Sequence, residues 1–389
     1  MSKSIEYVKK ELPHEIKTIG YVLLITGFII VILGYMTDIT RSLYNNIIGF
    51  TFLVSIGVGS LFFVSLEYIA GAVWSTPFRR IIEFLSSIIV ILPFIVLPLL
   101  LNVNTIFGWT HPADSLMKAK APYLNINFFI VRVIVFWLFW VGFYFLIMKN
   151  SVKQDRTKDQ FLTKANIKLA GIFMPVFAVT ISLAAIDWLM SLAPKWFSTI
   201  FGVYYFSGTV LAALATGTIF IVLLNERGYL TSGLKRDHYY SLGALLFAFI
   251  NFWAYIAFSQ FLLIWYGNLP EETVWFLARW HGDWKLFSIG LLVIHFVVPY
   301  FGLLSQPSKM NPKTLLIMSC WILFAHYIDL YWLVMPNFYK EGIIFGWIEL
   351  GFPILIAGII ILVFYYRASR TNLVAIGDPK LERGVDFRL

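Results

Sequence analysis

From its N-terminus the chain reads as long apolar runs separated by short polar stretches. Ten of these runs approach or exceed 20 residues, enough helix to cross a hydrocarbon core of ~30 Å. They are Ile19–Met36, Ile47–Trp74, Ile81–Leu101, Phe128–Met148, Leu169–Met190, Phe197–Leu224, Tyr240–Tyr266, Trp284–Leu304, Leu315–Met335 and Ile343–Tyr366. The runs are apolar throughout rather than at alternate positions, which excludes the strands of a membrane β-barrel. Helix remains, because a lipid-facing backbone must satisfy its own hydrogen bonds. The pattern predicts an all-α polytopic membrane protein: a polar tail over 1–18, a ten-helix transmembrane domain over 19–366, and a second polar tail over 367–389.

Composition agrees. The 389 residues are 59% hydrophobic and 13% charged, against roughly 25% charged in a soluble domain, too little polar sequence to clothe a water-soluble core. The single cysteine, Cys320, lies in an apolar run. It excludes a disulfide framework and any thiolate-held zinc or iron–sulfur site within the chain. No Cys-x-x-Cys-His occurs, so no c-type haem is attached. The segment Met1–Lys17 carries Lys9, Lys10 and Pro13 and lacks the core of a secretory signal, so the first helix is expected to stay as an anchor.

The net charge of +9 is placed as a topology signal. Both tails and the loops at Arg79/Arg80, Lys149 to Lys164, Arg227/Lys235/Arg236 and Lys309/Lys313 hold about 21 Lys and Arg, and the opposite loops about six. The positive-inside rule then puts both termini in the cytoplasm and the charge against anionic lipid, not nucleic acid. Aromatic residues gather at the other helix ends as an interfacial belt: Trp109, Trp188, Trp196, Trp265, Tyr266, Trp275, Trp280, Trp284 and Trp332. In the sixth run Gly208/Ala212 and Ala213/Gly217, each four apart, would let another helix approach closely.

Charge near the bilayer centre costs at least ~2.5–3.5 kcal/mol, so polar groups inside the runs are the functional candidates. The ninth run carries Ser319, His326 and Asp329 on one face, the seventh Asn251, Tyr255 and Ser259 with Gln260 beside them, and the eighth His295. Asp187 and Arg132 lie near outer helix ends, Glu349 in the outer half of the tenth run, and Glu67 with Ser60 in the drier cytoplasmic half. Glu83 follows Arg79 by four residues and Arg80 by three, a local ion pair.

Imidazole and carboxylate suit a path of exchangeable protons through Asp329, His326 and His295, with Asp187 and Glu67 as further stations. Against this stands plain interhelical hydrogen bonding, worth ~0.6 kcal/mol per bond, and for Arg132 and Glu349 simple anchoring or snorkelling. A third reading has His295 and His326, on adjacent helices at similar depth, ligating a b-type haem.

Three outer-side segments carry a resemblance. They are Asp187-Trp188-Leu-Met-Ser-Leu-Ala-Pro194-Lys-Trp196-Phe-Ser-Thr-Ile-Phe-Gly202-Val-Tyr204, Ser259-Gln260-Phe-Leu-Leu-Ile-Trp265-Tyr266-Gly-Asn268-Leu-Pro270-Glu271-Glu272, and His326-Tyr-Ile-Asp329-Leu-Tyr331-Trp332-Leu-Val-Met-Pro336. In this order they resemble the ActF subunits of bacterial alternative complex III, a quinol:electron-acceptor oxidoreductase of the bacterial inner membrane. The resemblance implies a polysulfide-reductase-like membrane subunit with two four-helix bundles and flanking helices, and no redox centre of its own. It implies a larger homologous partner at the quinol site, and outer-side partners holding iron–sulfur clusters and c-type haems. Asp187, Gln260, His326 and Asp329 are the family-linked positions. No catalytic residue and no resident metal or cofactor is expected of this chain, with quinone bound nearby. The outer loops Leu101 to Asn127 and Gly267 to Asp283 are where partners would dock.

Two other classes use the same residues. A secondary transporter would bind substrate at the mid-membrane polar groups, but Pro93, Pro98, Pro175 and Pro299 do not form the matched breaks of an inverted repeat. A structural anchor would need none of those groups for turnover.

Overall fold

The computed structural model describes residues 10–230 and 234–389; the expected polar tail, with Lys9, lies partly outside them. Among the described residues ten helices are long and apolar enough to cross a membrane: His14–Thr37, Ile39–Ala70, Arg79–Leu101, Ile126–Thr157, Gln160–Leu192, Phe201–Glu226, Arg236–Gly267, Trp284–Leu303, Pro312–Asn337 and Trp347–Arg370, numbered spans 1 to 10. No strand forms among the described residues. The chain is an all-α polytopic membrane protein. Several spans outrun their apolar runs because local side chains hold the ends. Asn125 accepts from the Phe128 N–H at 2.9 Å to start span 4, and Asn311 accepts from Lys313 and Thr314 at the start of span 9.

Spans 2 to 5 pack as one ring of four helices and spans 6 to 9 as a second. Span 2 is the post between them, touching spans 6 and 9, and 94% of its apolar window is buried. Spans 1 and 10 pair with each other and flank the rings, span 10 resting on spans 2 and 3. Small residues set the spacing at the seam: a Cβ on Gly59 of span 2 would stand 2.6 Å from the Thr209 carbonyl and 2.9 Å from the Ala213 Cβ, so the close approach expected of span 6 occurs there.

The end of the bundle that carries the N-terminal and C-terminal segments is the near end; loops 102–125, 193–200, 268–283 and 338–346 lie at the far end. At the near end the segment after span 10 is not a free tail. Asp378 pairs with Arg79 at 2.6 Å, and the Gly384 carbonyl lies 2.8 Å from His238 Nε2. Glu83 takes both Arg79 and Arg80 at 3.2 Å, as the spacing predicts. The cluster extends further, through Arg80 to Asp155 at 2.8 Å and from the Ser151 hydroxyl to Glu83 at 2.8 Å.

Two spans are irregular. Span 3 tightens into a 3₁₀ turn over Ser86–Ile91, just before Pro93. Span 8 widens into a π turn over Val293–Val297, and the cause is Pro299, which has no N–H to close the ladder onto the turn before it. The Ile294 carbonyl accepts from Trp321 Nε1 at 2.8 Å instead. Such turns recur at functional sites, and this one presents His295.

The aromatic belt is narrower than the sequence implies. Trp265, Tyr266 and Trp280 are exposed, whereas Trp109, Trp188, Trp196, Trp275, Trp284 and Trp332 are buried. Four of the buried indoles donate where they pack, Trp284 to the Tyr339 carbonyl, Trp196 to the Glu272 carbonyl, Trp109 to Ser191 and Trp332 to Ser288, whereas Trp188 Nε1 is buried without a partner.

Candidate functional site

The polar residues that come together lie inside the ring of spans 6 to 9, where span 2 closes it. His326 and Asp329 are three apart on span 9 and share its inner face. Tyr204 of span 6 donates to Asp329 Oδ1 at 2.5 Å, and Trp253 Nε1 of span 7 donates to Oδ2 at 3.2 Å. No lysine or arginine pairs with this carboxylate among the described residues. Two neutral donors hold a group that is 2% exposed.

The Trp253 indole lies flat on the His295 ring, centroids 3.8 Å apart and planes 18° apart. His295 and His326 face each other at 6.4 Å between centroids. His326 Nε2 lies 3.1 Å from Ser55 Oγ of span 2, which leads to Thr209 and Tyr205 at 3.4 Å each. Both nitrogens of His295, Nδ1 of His326 and the hydroxyl of Ser319 are buried without a hydrogen-bond partner. Buried polar atoms are normally satisfied, so this cluster has unused hydrogen-bonding capacity. Span 6 makes the space: a Cβ on Gly208 would sit 2.7 Å from His326 Cε1.

The other predicted residues lie elsewhere. Asp187 belongs to the ring of spans 2 to 5, where Arg132 grips both its oxygens at 2.6 and 3.0 Å. Arg132 also donates to the Tyr123 carbonyl at 2.8 Å and lies over the Tyr123 ring. That is a closed ion pair, not a station beside Asp329, and Arg132 does not snorkel. Nor does Glu349, which takes Arg41 at 2.6 Å and Asn45 at 3.2 Å. Glu67 is buried at the near end with both oxygens unpartnered.

On span 7 the expected stripe is one face off. Tyr255 is exposed and Asn251 donates to the Phe247 carbonyl of its own helix. Ser259 is half-buried, and Trp253 and Gln260 are the residues turned inward. Gln260 accepts from Ser198 at 3.3 Å.

His295, His326 and Asp329 place ligand atoms within 4.8 Å of one another. Tetrahedral zinc would set its ligands about 3.3 Å apart; here Asp329 already has a donor on each oxygen, and no two of the three side chains hydrogen-bond each other. Trp253 and Ser55, which help complete the site, carry no signal in the sequence beyond ordinary helix packing, whereas Tyr204 closes the first of the three segments that carry the resemblance. The chain matches no protein-family model and no curated protein sequence.

Proposed function

We propose that the chain is a membrane subunit of a quinol-oxidising complex of the alternative-complex-III kind, supplying a proton path and a scaffold rather than a redox centre. The observation that carries this reading is the buried His295–His326–Asp329 cluster, with three unpartnered ring nitrogens and a carboxylate held only by Tyr204 and Trp253. Intramembrane ionisable groups that face a bundle interior mark ion or proton pathways. The two-ring architecture with flanking spans supports the same reading, since it is what the resemblance implies. Protons would pass between Asp329 and the histidines, and Ser55 would extend the relay toward span 2. The larger homologous subunit would hold the quinol, and the iron–sulfur and haem c subunits would dock on the loops over 101–127 and 267–283. The membrane would be the bacterial inner membrane, with both termini cytoplasmic.

The test is purification through a tag on this chain, followed by identification of bound proteins, a reduced-minus-oxidised spectrum, and quinol turnover of His326→Ala and Asp329→Asn. Multi-haem c partners and slowed turnover at normal assembly are expected. Unchanged turnover in both variants would sink the proton path, and a colourless, solitary chain would favour a transporter.

A further inference from the structure

A groove of about 710 Å³ opens on the outer face of the second ring, between spans 7 and 8 and the short helix Pro270–Ala278 that joins them. Its mouth is apolar: Phe258, Phe261, Trp265, Leu277, Trp280 and Leu292 line it and are exposed. Asn268, Thr273 and Gln260 supply polar edges at the far end, and Tyr204 and Arg279 also line it. Arg279 is 2% exposed and has no carboxylate partner among the described residues.

Three backbone carbonyls hold the guanidinium. Trp275 accepts at 3.0 Å, Trp332 at 3.2 Å and Leu333 at 2.8 Å, all near helix C-terminal ends, where partial negative charge gathers. The Trp275 ring covers one face, 3.4 Å from the guanidinium carbon. These contacts use three of the five N–H donors of an arginine. Burial pushes Arg279 well below the usual arginine value, the mark of a cation whose surroundings do not fully replace water. An anion in the groove would take the remaining donors and balance the charge.

We propose that this groove binds one anionic phospholipid, its phosphate against Arg279 and its acyl chains along the aromatic wall. The lining is that of an amphiphile site, a charged group at the headgroup end and aromatic and aliphatic walls below. A free inorganic anion would leave the apolar mouth uncovered. A second transmembrane helix would cover the mouth but leave the guanidinium unmatched. The site does not depend on the proton-path reading, since lipid retention is measured without turnover.

The experiment is native mass spectrometry of the full-length protein, delipidated in mild detergent and then titrated with phosphatidylglycerol, phosphatidylethanolamine of the same acyl chains, or inorganic phosphate. One phosphatidylglycerol should survive activation that strips the other lipids. Arg279→Gln should cut its retention about tenfold or more, as for loss of one partner of a desolvated charge pair. Because Arg279→Gln can fail to fold, Ala257→Phe, a change in the groove wall that fills it and leaves the arginine in place, should give the same loss. Equal retention of the two lipids, retention unchanged by Ala257→Phe, phosphate bound as tightly as lipid, or a quinone released in place of phospholipid would each overturn the assignment.

Discussion

Trp253 stacks on His295 with 3.8 Å between ring centroids while its indole N–H reaches Asp329 Oδ2 at 3.2 Å. One side chain thereby ties a residue of span 8 to a residue of span 9. Trp253→Phe keeps an aromatic face on His295 and removes the donor. An unsatisfied buried acceptor costs ~1–3 kcal/mol, so the unfolding temperature in detergent should fall measurably. If protons move through this carboxylate, turnover of the assembled complex should also slow, whereas a purely structural bond would lower stability alone.

A methyl group separates two kinds of glycine in this fold. Gly208→Ala drives a Cβ to 2.7 Å from His326 Cε1, while a Cβ on Gly142 or Gly171 would meet nothing within 4 Å. Overpacking a buried site costs ~1–3 kcal/mol. Alanine for an open mid-helix glycine is neutral or stabilising by ~0.5–1 kcal/mol. Thermal melts of the three variants should therefore split, with Gly208→Ala alone destabilised and its His326 ring resonances shifted. Equal melts for all three would contradict the packing of span 6 on span 9.

Arg132 and Asp187 join spans 4 and 5, and both are buried. Asp187→Ala strands the arginine, and breaking one side of a buried pair costs ~3–5 kcal/mol. Less protein should assemble, and what assembles should turn over at the wild-type rate. The double variant Arg132→Met/Asp187→Ala should recover part of the loss, giving a coupling energy in the cycle. Slow turnover of assembled Asp187→Ala would return this residue to the proton path.

The ten spans were legible because a bilayer demands long apolar helices with paired backbones, and the sequence obeys that demand at every run. The local ion pair of Glu83 with Arg79 and Arg80 was legible too, since helical spacing alone brings them together. Long-range pairing was not: Arg41 and Glu349 meet across 308 residues, and nothing near either position announces the other. The inward face of span 7 was also hidden. A helix apolar on all sides shows no amphipathic stripe, so the sequence marks Asn251 and Tyr255 as the interior, while the residue that reaches Asp329 is a tryptophan two positions along from Asn251. The proximity of His295, His326 and Asp329 was legible in part, since regular helices already put the two histidines at similar depth, whereas the π turn that carries His295 is not anticipated by spacing arguments.

The segment after Arg370 latches the near end, and its removal should be felt across the bundle. Asp378 is buried and pairs with Arg79, whose guanidinium also lies 4.6 Å from the centre of the Tyr68 ring. Gly377 leaves room for the Gln154 carbonyl, which a Cβ there would overlap. Asp378→Asn keeps the shape and removes the charge, leaving Arg79 with Glu83 alone. Truncation after Arg370 exposes the whole Arg79–Glu83–Arg80–Asp155 cluster to water. The point variant should cost up to ~3–5 kcal/mol, as for other half-broken buried pairs. Truncation should cost less per charge removed, because water re-solvates the cations that the segment covers. Limited proteolysis reads the difference: Asp378→Asn should speed cleavage within 371–389 while spans 2 and 4 stay protected. Equal cleavage in wild type and variant would show that the segment is held by its apolar contacts, with Leu373, Val374 and Leu381 buried, and that the ion pair only orients it.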